Sequence, residues 1–408
     1  MKRAAEIGML AVACCMLAAC SGQQVQPEEQ KDQATTIKFA VPYDTPYSEE
    51  FLCNLVDSYS ETKSGVQVEL EFFSYPDYEQ TLEALATKGE QPDLMLVDNA
   101  YIPALSRQGT LAAIDVWLNE TGLAEELCSD LLVVDEDDQS FYGCPWLCWS
   151  YVLYYNQKEM SREECLQLSD WQDFLEQGRK YAVSEKKVFA LAAADTEELC
   201  YQFQELLLAE QGNLHTLRVA DDCRVLQGLE TLIRNDVMPL ECLDWNQSDL
   251  TRRFAQGALA TMLNRSTQVP YLQSLDPSFT WGAVPFPLND SENHCMGIQS
   301  IVVSAEAEPQ AYDFLEWLMQ AEQVQCVAEN LNSIPVRKDV QQTMTPETAR
   351  QNICDFSEQS LQYSGNFRSW PVISRVIRTE VRELLMQNKD AEAALWDMQY
   401  TIDRYYLW

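Results

Sequence analysis

The chain has 408 residues, and 28 lysines and arginines stand against 64 aspartates and glutamates, which gives a formal net charge of −36 at pH 7. A nucleic-acid-binding protein needs a basic surface to neutralise phosphates, so this charge excludes that class. Hydrophobic residues make up 46% of the chain, which is too apolar for a disordered protein and predicts a large buried core. At about 150 residues per domain, the length predicts two or three domains.

The amino terminus predicts export. Lys2 and Arg3 precede an uncharged run from Ile7 to Ala19, which is shorter than the roughly 20 apolar residues of a membrane-spanning helix. We therefore interpret residues 1–19 as a signal peptide. The segment that follows is polar and has no apolar periodicity, which is typical of a flexible tether.

A lipid anchor is predicted at the end of this signal peptide. The sequence Leu17-Ala18-Ala19-Cys20 resembles the lipobox of bacterial lipoproteins, in which the cysteine is lipidated and becomes the first residue of the mature protein. The alternative is an ordinary signal peptide followed by an unmodified Cys20. We interpret residues 20–35 as the lipidated cysteine and its tether, and the mature protein as held at the outer face of the cell membrane by this anchor alone.

The cysteines do not predict a disulfide framework or a metal site. Of the 14 cysteines, Cys14, Cys15 and Cys20 precede the mature domain, and the remaining eleven cannot all pair within one chain. Cys144 and Cys148 are separated by a proline and a tryptophan, and the chain has only two histidines, so zinc is poorly supported. We interpret the cysteines as buried thiols, and we expect no metal and no cofactor.

Strands and helices alternate through the first hundred residues after the tether. Apolar residues alternate with polar ones at 37–41 and 66–72, and a short buried run occupies 94–97, all typical of β-strands. Helical spacing of apolar residues at 51–59 and 78–85 predicts a helix after each of the first two strands. The chain therefore begins with a βαβαβ pattern.

The same alternation continues along the rest of the chain. The uncharged run from Gln139 to Gln157 is interpreted as a buried strand and not a membrane span, because Gly143 and Pro145 break its start. From residue 309 onward the chain is predicted to be mostly helical. The predicted class is α/β with mainly parallel sheets. The other predicted helices are 100–108, 170–181, 196–211, 221–234 and 248–256, and the other predicted strands are 258–263, 280–284 and 298–303.

Short segments match, in chain order, the motifs of one protein family. The first reads G-x-x-P-D, and later ones resemble Y-G-x-P with Y-Y-N, F-x-x-G-x-x-A-M, P-x-P, and x-P-x-R. The ordered set resembles the extracellular solute-binding proteins (family 1), lipoprotein type, that serve bacterial ABC sugar importers, and it covers nearly all of residues 36–408. The matching segments are 89–99 with 109–111, 141–145 with 153–156, 254–262, 281–287, Gly297 with 301–304 and 311–318, and 334–337.

This resemblance implies a fold and a function. The implied fold is a two-lobed, periplasmic-binding-protein-like clamp in which each lobe is a mainly parallel sheet flanked by helices, with a helical C-terminal region. Lobe one is expected at 36–146 plus 286–330, and lobe two at 147–285 plus 331–408. The implied function is to capture a carbohydrate, an oligosaccharide or a sugar derivative, in the cleft between the lobes. A monomer would then deliver it to the transmembrane subunits of an ABC permease.

The resemblance and the strand ends together give twelve candidate ligand-binding residues. Trp146 and Trp370 are the predicted aromatic platforms for a sugar ring, and one of Trp146 and Trp149 is expected in the core. Helix capping by Asp44 or Thr45 competes with ligand contact. The candidates are Tyr43 and Asp44 after the first strand, Asp98 and Asn99 after the third, Trp146 and Trp149, Asn264 and Arg265, Gly297, and Phe367, Arg368 and Trp370 before a long helix.

Other functions stay open. Arg265 stands where the family often carries Gly and Trp, which indicates a charged ligand or a surface ion pair. Together with Arg368 it favours an organic anion, whereas carboxylates in the cleft would favour a polyamine or another cation; a peptide is a further alternative. A secreted glycoside hydrolase would need two carboxylates about 5 to 9.5 Å apart. No G-x-S-x-G nucleophile motif occurs, so we expect a protein that is not an enzyme and has no catalytic residues.

Overall fold

The computed structural model describes most of the chain after residue 34. The predicted signal peptide, Cys20 and nearly all of the tether lie outside the described residues, and so do Phe367 and Arg368. Within the described part, no helix is long and apolar enough to cross a membrane. The described residues are 35–74, 78–85, 91–135, 137–181, 186–212, 214, 217, 223–286, 293–343, 360–362 and 369–406.

Eight strands and sixteen helices are found in the described ranges. The strands are β1 (Thr35–Tyr43), β2 (Val66–Ser74), β3 (Leu94–Asp98), β4 (Gly143–Asn156), β5 (Thr261–Arg265), β6 (Trp281–Pro285), β7 (Asn293–Val303) and β8 (Ser360–Gln362). The helices are α1 (Pro46–Thr62), α2 (Tyr78–Leu85), α3 (Ile102–Ser106), α4 (Asp115–Glu120), α5 (Leu123–Glu126), α6 (Arg162–Leu166), α7 (Trp171–Tyr181), α8 (Glu197–Ala209), α9 (Cys223–Arg234), α10 (Gln247–Ala255), α11 (Val269–Ser274), α12 (Pro309–Leu318), α13 (Ala321–Leu331), α14 (Lys338–Thr343), α15 (Trp370–Leu385) and α16 (Ala391–Tyr406).

The strands form one mixed sheet in the order β2-β1-β3-β7-β4-β5, with β6 paired to β4 and β8 paired to β7. The α/β class and the helical C-terminal region are confirmed, but the prediction of mainly parallel pairing is wrong. Parallel pairs are β1/β2, β1/β3 and β7/β8, whereas β7 is antiparallel to β3 and β4, and β4 is antiparallel to β5 and β6. The reason is that a buried apolar run predicts a strand but does not encode the direction of its neighbour.

Two hydrophobic cores pack against this sheet. The first core contains residues of β1, α1, the 114–148 region and 296–340. The second core contains most of the buried apolar residues from Trp149 to Phe286, together with α15 and α16. Strand β3 contributes to both, because Leu94 and Leu96 face the first core while Met95 and Val97 face the second.

Helix α8 is buried along its whole length, although it carries three glutamates and two glutamines. Buried polar groups need partners, and here they fasten α8 to neighbouring segments. The Gln202 side chain accepts from the Ala192 backbone N–H at 2.9 Å. Glu205 lies 2.8 Å from Nδ1 of His294 and accepts from the Cys295 backbone N–H at 2.6 Å. These bonds fix the start of β7 against α8.

The ten cysteines in the described ranges are thiols and form no disulfides. Seven of them are buried, Cys128 and Cys326 are partly buried, and Cys53 is exposed. The prediction that some cysteines are unpaired is therefore confirmed. Most act as small apolar side chains in the two cores, as with Cys144 in the first and Cys165 in the second.

Candidate functional site

A row of polar side chains crosses the middle of the sheet. Asp98 at the end of β3 lies opposite Gln299 of β7, and Arg265 at the end of β5 lies opposite Tyr151 of β4. Trp149 is two residues before Tyr151 and therefore projects from the same face of β4. The four strands bring together residues that are far apart in the sequence. Asp98 and Gln299, for example, are separated by 201 positions. We call these five side chains the polar row.

Gly297 is needed because the Trp149 indole lies across it. The two residues are paired between β4 and β7. A Cβ atom placed on Gly297 would lie only 2.1 Å from Cε2 of Trp149, so only glycine leaves room for the ring. On another side the indole meets Tyr201 edge to face, with ring centroids 6.1 Å apart. The ring is thereby held flat against the sheet.

Arg265 lies over this indole and reaches the loop after β1. Its guanidinium carbon is 5.3 Å from the centroid of the Trp149 ring, a cation–π arrangement. Its Nη2 forms an ion pair with Oδ1 of Asp44, and Nε2 of Gln268 donates to the same oxygen at 3.1 Å. Arg265 is 4% exposed, so this is a buried ion pair and not a surface one.

Asp44 is available for this contact because another residue caps the helix. Thr45 is the N-cap of α1: its side chain accepts from the Ser48 backbone N–H at 3.1 Å, and Oγ of Ser48 accepts from the Thr45 N–H at 3.0 Å. This capping box provides hydrogen-bond partners for the backbone N–H groups of Thr45 and Ser48 at the start of α1, so Asp44 is not needed for capping. Of the two predicted capping residues, Thr45 caps and Asp44 faces Arg265.

A small pocket, part of it open to solvent, lies against these residues. Its polar lining includes Asp44, Trp149, Arg265, Thr267 and Gln299, and its apolar walls come from both β1 and β3. Such a mixture of one aromatic face with a few converging polar groups is typical of a small-molecule site.

Two buried carboxyl groups border the polar row and have strongly raised pKa values. Burial and the neighbouring Glu197 raise the pKa of Asp98 to about 7, although Gln299 and Arg265 act in the opposite direction. Burial also raises the pKa of Glu198 to about 7 against the lowering effect of Arg265. Groups with such values in a cleft are candidates for function.

Glu197 is the centre of a hydrogen-bond network beside the row. Its carboxylate accepts from Tyr101 Oη at 2.6 Å, from Ser374 Oγ at 2.8 Å and from Trp370 Nε1 at 3.2 Å. Nε of Arg378 lies 3.7 Å from the same carboxylate. Burial raises the pKa of Glu197, and Arg378 and the hydrogen bonds lower it. We call these five residues the Glu197 network.

A family model described as a bacterial extracellular solute-binding protein matches residues 54–352. The chain belongs to this family. It therefore acts outside the cytoplasm, and the predicted resemblance is confirmed. No functionally curated protein matches the chain by sequence.

Solved structures agree with this assignment at the level of the fold. Maltose-bound MalE3 of T. maritima has a TM-score of 0.78 at 17% identity, with 91% of this chain and 99% of that chain covered. An ABC transporter solute-binding protein from Thermotoga lettingae with bound alpha-D-tagatose has a TM-score of 0.79 at 18% identity, with the same coverage. An ABC substrate-binding protein from Listeria monocytogenes in complex with cycloalternan has a TM-score of 0.74 at 16% identity, covering 91% and 98%. The fold of the chain is that of the periplasmic-binding-protein-like solute-binding proteins.

The structure of this solute-binding protein brings five predicted site residues together: Asp44, Asp98, Trp149, Arg265 and Gly297. Tyr43, at the end of β1, is partly buried, and its burial and Glu49 raise its pKa. Because it directly precedes Asp44, Tyr43 stands next to the site, but it is not among the residues that line the pocket.

Two predicted site residues, Asn99 and Asn264, form hydrogen bonds within the protein. The side-chain amide of Asn99 donates to the Leu131 carbonyl at 3.2 Å, and its oxygen accepts from Ser300 at 2.5 Å. The Asn264 amide donates to the Gln247 carbonyl at 3.0 Å, and its oxygen accepts from the Arg265 N–H at 2.9 Å. Both side chains use their donors and acceptors within the protein, so they fix loops beside the site.

The two predicted platforms are buried in this conformation. Trp146, the predicted platform of the pair, belongs instead to the first core, where it meets Phe39 edge to face at 6.1 Å, and it is not among the pocket-lining residues. Its neighbour Trp149 lines the pocket, because residues 146 and 149 fall on opposite faces across the irregularity between Pro145 and Leu147. Trp370 is fully buried, with its indole N–H on Glu197.

Sequence reasoning missed Glu197 and Glu198. A signal was present, because α8 carries apolar residues on all sides and two adjacent glutamates at its first turn. A helix that is apolar all round is buried, so charged residues on it need partners in the interior. Glu198 finds one in the Gln247 backbone N–H, 3.0 Å away, at the start of α10. Gln299 and Tyr101 were missed because nothing in their local sequence marks them.

Proposed function

We propose that this solute-binding protein captures a carbohydrate, an oligosaccharide or a sugar derivative, in the pocket at the polar row and delivers it to the transmembrane subunits of an ABC importer. Family membership and the same fold in proteins with bound maltose, tagatose and cycloalternan support this function. The observation that carries it is the convergence of Asp44, Trp149, Arg265 and Gln299 on one pocket.

The chemistry of this pocket suits a sugar. The hydroxyl groups of a sugar need partners that donate and accept, which Gln299, Thr267 and Asp44 supply. The apolar C–H groups of a sugar pack on aromatic surface, and Trp149, which is 2% exposed, lines the pocket beneath Arg265. The indole is held flat by Gly297 and Tyr201, so it loses little freedom when a ligand binds.

The two cores support a two-lobed organisation with the pocket between the lobes. Asp44 and Gln299 belong to the expected lobe one, and Trp149 and Arg265 to lobe two. We assign residues 331–343 to lobe one instead of lobe two, since Ile334, Val336 and Val340 pack in the first core. We expect the lobes to close on the ligand about hinges near Trp146 and Phe286.

The remaining parts of the proposal concern the setting of the protein. A signal peptide at 1–19 and lipidation of Cys20 would hold a monomer at the outer face of the membrane within reach of the permease. The captured solute is released chemically unchanged, so no residue of the pocket is assigned a catalytic role.

Calorimetry of the purified full chain against mono- and oligosaccharides tests the proposal. Trp149→Ala should weaken the binding of the recognised sugar by about 1–3 kcal/mol, the usual cost of removing a stacked ring. Trp396→Ala is the matched control, because that tryptophan is 62% exposed on α16 and should leave affinity unchanged.

Two outcomes would contradict the proposal. If no sugar binds, the carbohydrate assignment is wrong. Chromatography of the solution in the calorimeter after the titration would show whether the sugar is consumed. If it is consumed, the protein is a hydrolase and not a transport component.

A further inference from the structure

Carboxylates outnumber cations around the pocket. Four acidic residues, Asp44, Asp98, Glu197 and Glu198, surround the polar row and the Glu197 network, and three of them are at most 5% exposed. Among the described residues of these two groups the cations are Arg265 and Arg378. If every one of these groups were ionised, these described residues would carry two uncompensated negative charges.

Both arginines are engaged by specific carboxylates. Arg378 lies between Glu197, at 3.7 Å, and Asp195, whose Oδ1 is 3.0 Å from Nη1. Arg265 makes its ion pair with Asp44. The charge of Arg265 lowers the pKa values of Asp98 and Glu198, but neither carboxyl group forms an ion pair in the described part of the chain.

Asp98 borders the pocket through its neighbours Leu96 and Gln299, whereas Asp44 is the carboxylate in the pocket lining. Asp98 is 1% exposed, and neither of its oxygens has a hydrogen bond of ordinary geometry among the described residues, although the neighbouring Gln299 favours its charged form. Its backbone N–H is used by Tyr78 Oη, 2.6 Å away. Asp98 shares its face of β3 with Leu96, and it pairs across the sheet with Gln299; both of these residues line the pocket.

We propose that the captured solute carries a protonated amino group and that Asp98, with Glu198 as a second carboxylate, receives it. The sugar part of this inference rests on the proposed function, so the ligand class is an amino sugar. A buried carboxylate without a cation is costly, and an ammonium group supplies both the charge and up to three donors. An anion is disfavoured because, in the described part of the chain, four carboxylates lie in or beside the pocket and both nearby arginines are already paired.

The protonation of these groups supports the same ligand class. Burial raises the pKa of Asp98 and of Glu198 to about 7, so both are partly protonated at neutral pH. The groups that face Asp98 are Glu197, Glu198, Arg265 and Gln299. A bound cation favours the charged carboxylates and thereby lowers their pKa values. Binding of an amine at pH 7 is therefore accompanied by release of protons, whereas binding of a neutral sugar is not.

Three disaccharides with the same β-1,4 backbone test the inference by calorimetry at pH 7: the chitosan disaccharide with unmodified amino groups, its N,N′-diacetyl form, and cellobiose. Spermidine is titrated as an amine without a sugar. We expect the amino disaccharide to bind at least about tenfold more tightly than cellobiose, as is usual for a charge-assisted contact. We also expect its apparent enthalpy to depend on the ionisation enthalpy of the buffer, because protons are released.

Two charge-matched variants check the residue assignment. Asp98→Asn should reduce the affinity for the amino disaccharide to within about threefold of the affinity of the same variant for cellobiose. Asp57→Asn removes the same charge from an exposed position of α1 and should change neither. Glu198→Gln should reduce the amine preference in part, and it serves if Asp98→Asn does not fold.

The outcomes separate this inference from the proposed function. If cellobiose or the acetylated sugar binds as tightly as the amine, the inference is overturned while the carbohydrate function stands. If spermidine binds and no disaccharide does, the ammonium site stands and the carbohydrate function falls. If neither amine binds, the inference is overturned, whatever the neutral sugars do.

Discussion

At the scale of single residues, one methyl group decides whether Trp149 can lie against the sheet. Gly297→Ala would place a Cβ atom 2.1 Å from Cε2 of the indole, so the ring or the strand must move. We expect the free energy of unfolding to fall by about 1–3 kcal/mol, the usual cost of overpacking, and solute affinity to fall as well. Urea unfolding and calorimetry measure the two effects.

A double variant shows whether the clash with the indole is the cause. In Gly297→Ala combined with Trp149→Ala the ring is absent, so the added methyl group should cost less than it does alone. If the alanine at 297 costs the same in both backgrounds, the close contact with Trp149 does not explain the glycine.

Arg265 gives the second prediction at this scale. Arg265→Met keeps much of the side-chain length but leaves Asp44 and Glu198 without this cation. Removing one partner of a buried ion pair costs about 3–5 kcal/mol, so stability at pH 8 should fall markedly. Asp44→Asn should cost less, because the side chain of Asp44 is 21% exposed and can be solvated. Equal losses in urea unfolding would contradict this account.

The residues that the sequence could predict are those at strand ends. Asp44, Asp98 and Arg265 each follow an apolar run, and polar groups at such points are exposed to a crevice. Gln299 lies in the middle of a strand and Glu197 at the start of a helix, so the pattern marks neither. Their role depends on the pairing of β3 with β7 and on the docking of α8, which are properties of the tertiary structure.

At the scale of elements, strands were predictable and their directions were not. The alternation at 37–41 and 66–72 corresponds to β1 and β2, whose parallel pairing follows from the helix α1 between them. Strands β4 and β7 have apolar runs of the same kind but pair antiparallel. A long, fully buried strand has the same apolar composition whether its neighbour is parallel or antiparallel, so the composition could not predict the direction of pairing.

Helix α8 and strand β3 give a prediction about pH. Because the folded-state pKa of Asp98 is raised to about 7 from a normal value near 4, the folded protein binds its proton more tightly than the unfolded chain. The stability that this proton contributes is fully present below about pH 4 and is lost as the pH rises through about 7. The same sign holds for Glu198.

Asp98→Asn should therefore be more stable than the wild type by about 2–4 kcal/mol at pH 8 and by only about 1 kcal/mol at pH 5. Urea unfolding without ligand at both pH values measures the difference. Asp57→Asn, which replaces an exposed carboxylate of α1, should follow the wild type at both pH values. A wild-type stability that rises from pH 5 to 8 relative to Asp98→Asn would show that the burial of Asp98 has the opposite effect.

At the scale of the whole molecule, stability should not depend on disulfides. Among the ten described cysteines, Cys53 alone is exposed, although burial and the nearby Glu49 raise its thiol pKa. Reductant should therefore leave the melting temperature unchanged. Of the ten described cysteines, iodoacetamide on the folded protein should label Cys53 first, and faster at pH 9 than at pH 7. Peptide mapping by mass spectrometry separates it from the buried thiols, and early labelling of Cys144 would contradict the fold.

The Glu197 network joins the two proposed lobes, so it should favour the closed arrangement before any ligand binds. Tyr101 follows β3 in lobe one, while Glu197 begins α8 in lobe two, and their hydrogen bond of 2.6 Å is buried. A neutral donor on a charged acceptor contributes about 1.5–3 kcal/mol, enough to change an open-to-closed ratio about tenfold or more. Tyr101→Phe should therefore shift the ligand-free protein toward the open form.

Small-angle scattering measures this shift as a larger radius of gyration for ligand-free Tyr101→Phe than for the wild type. Saturating solute should bring both proteins to the same compact value, because the ligand adds contacts of its own to both lobes. The control is Tyr400→Phe, which removes the hydroxyl group of a tyrosine that is 58% exposed on α16. If ligand-free Tyr101→Phe is as compact as the wild type, this bond does not hold the lobes together, and closure depends on the Asp44–Arg265 pair or on the ligand.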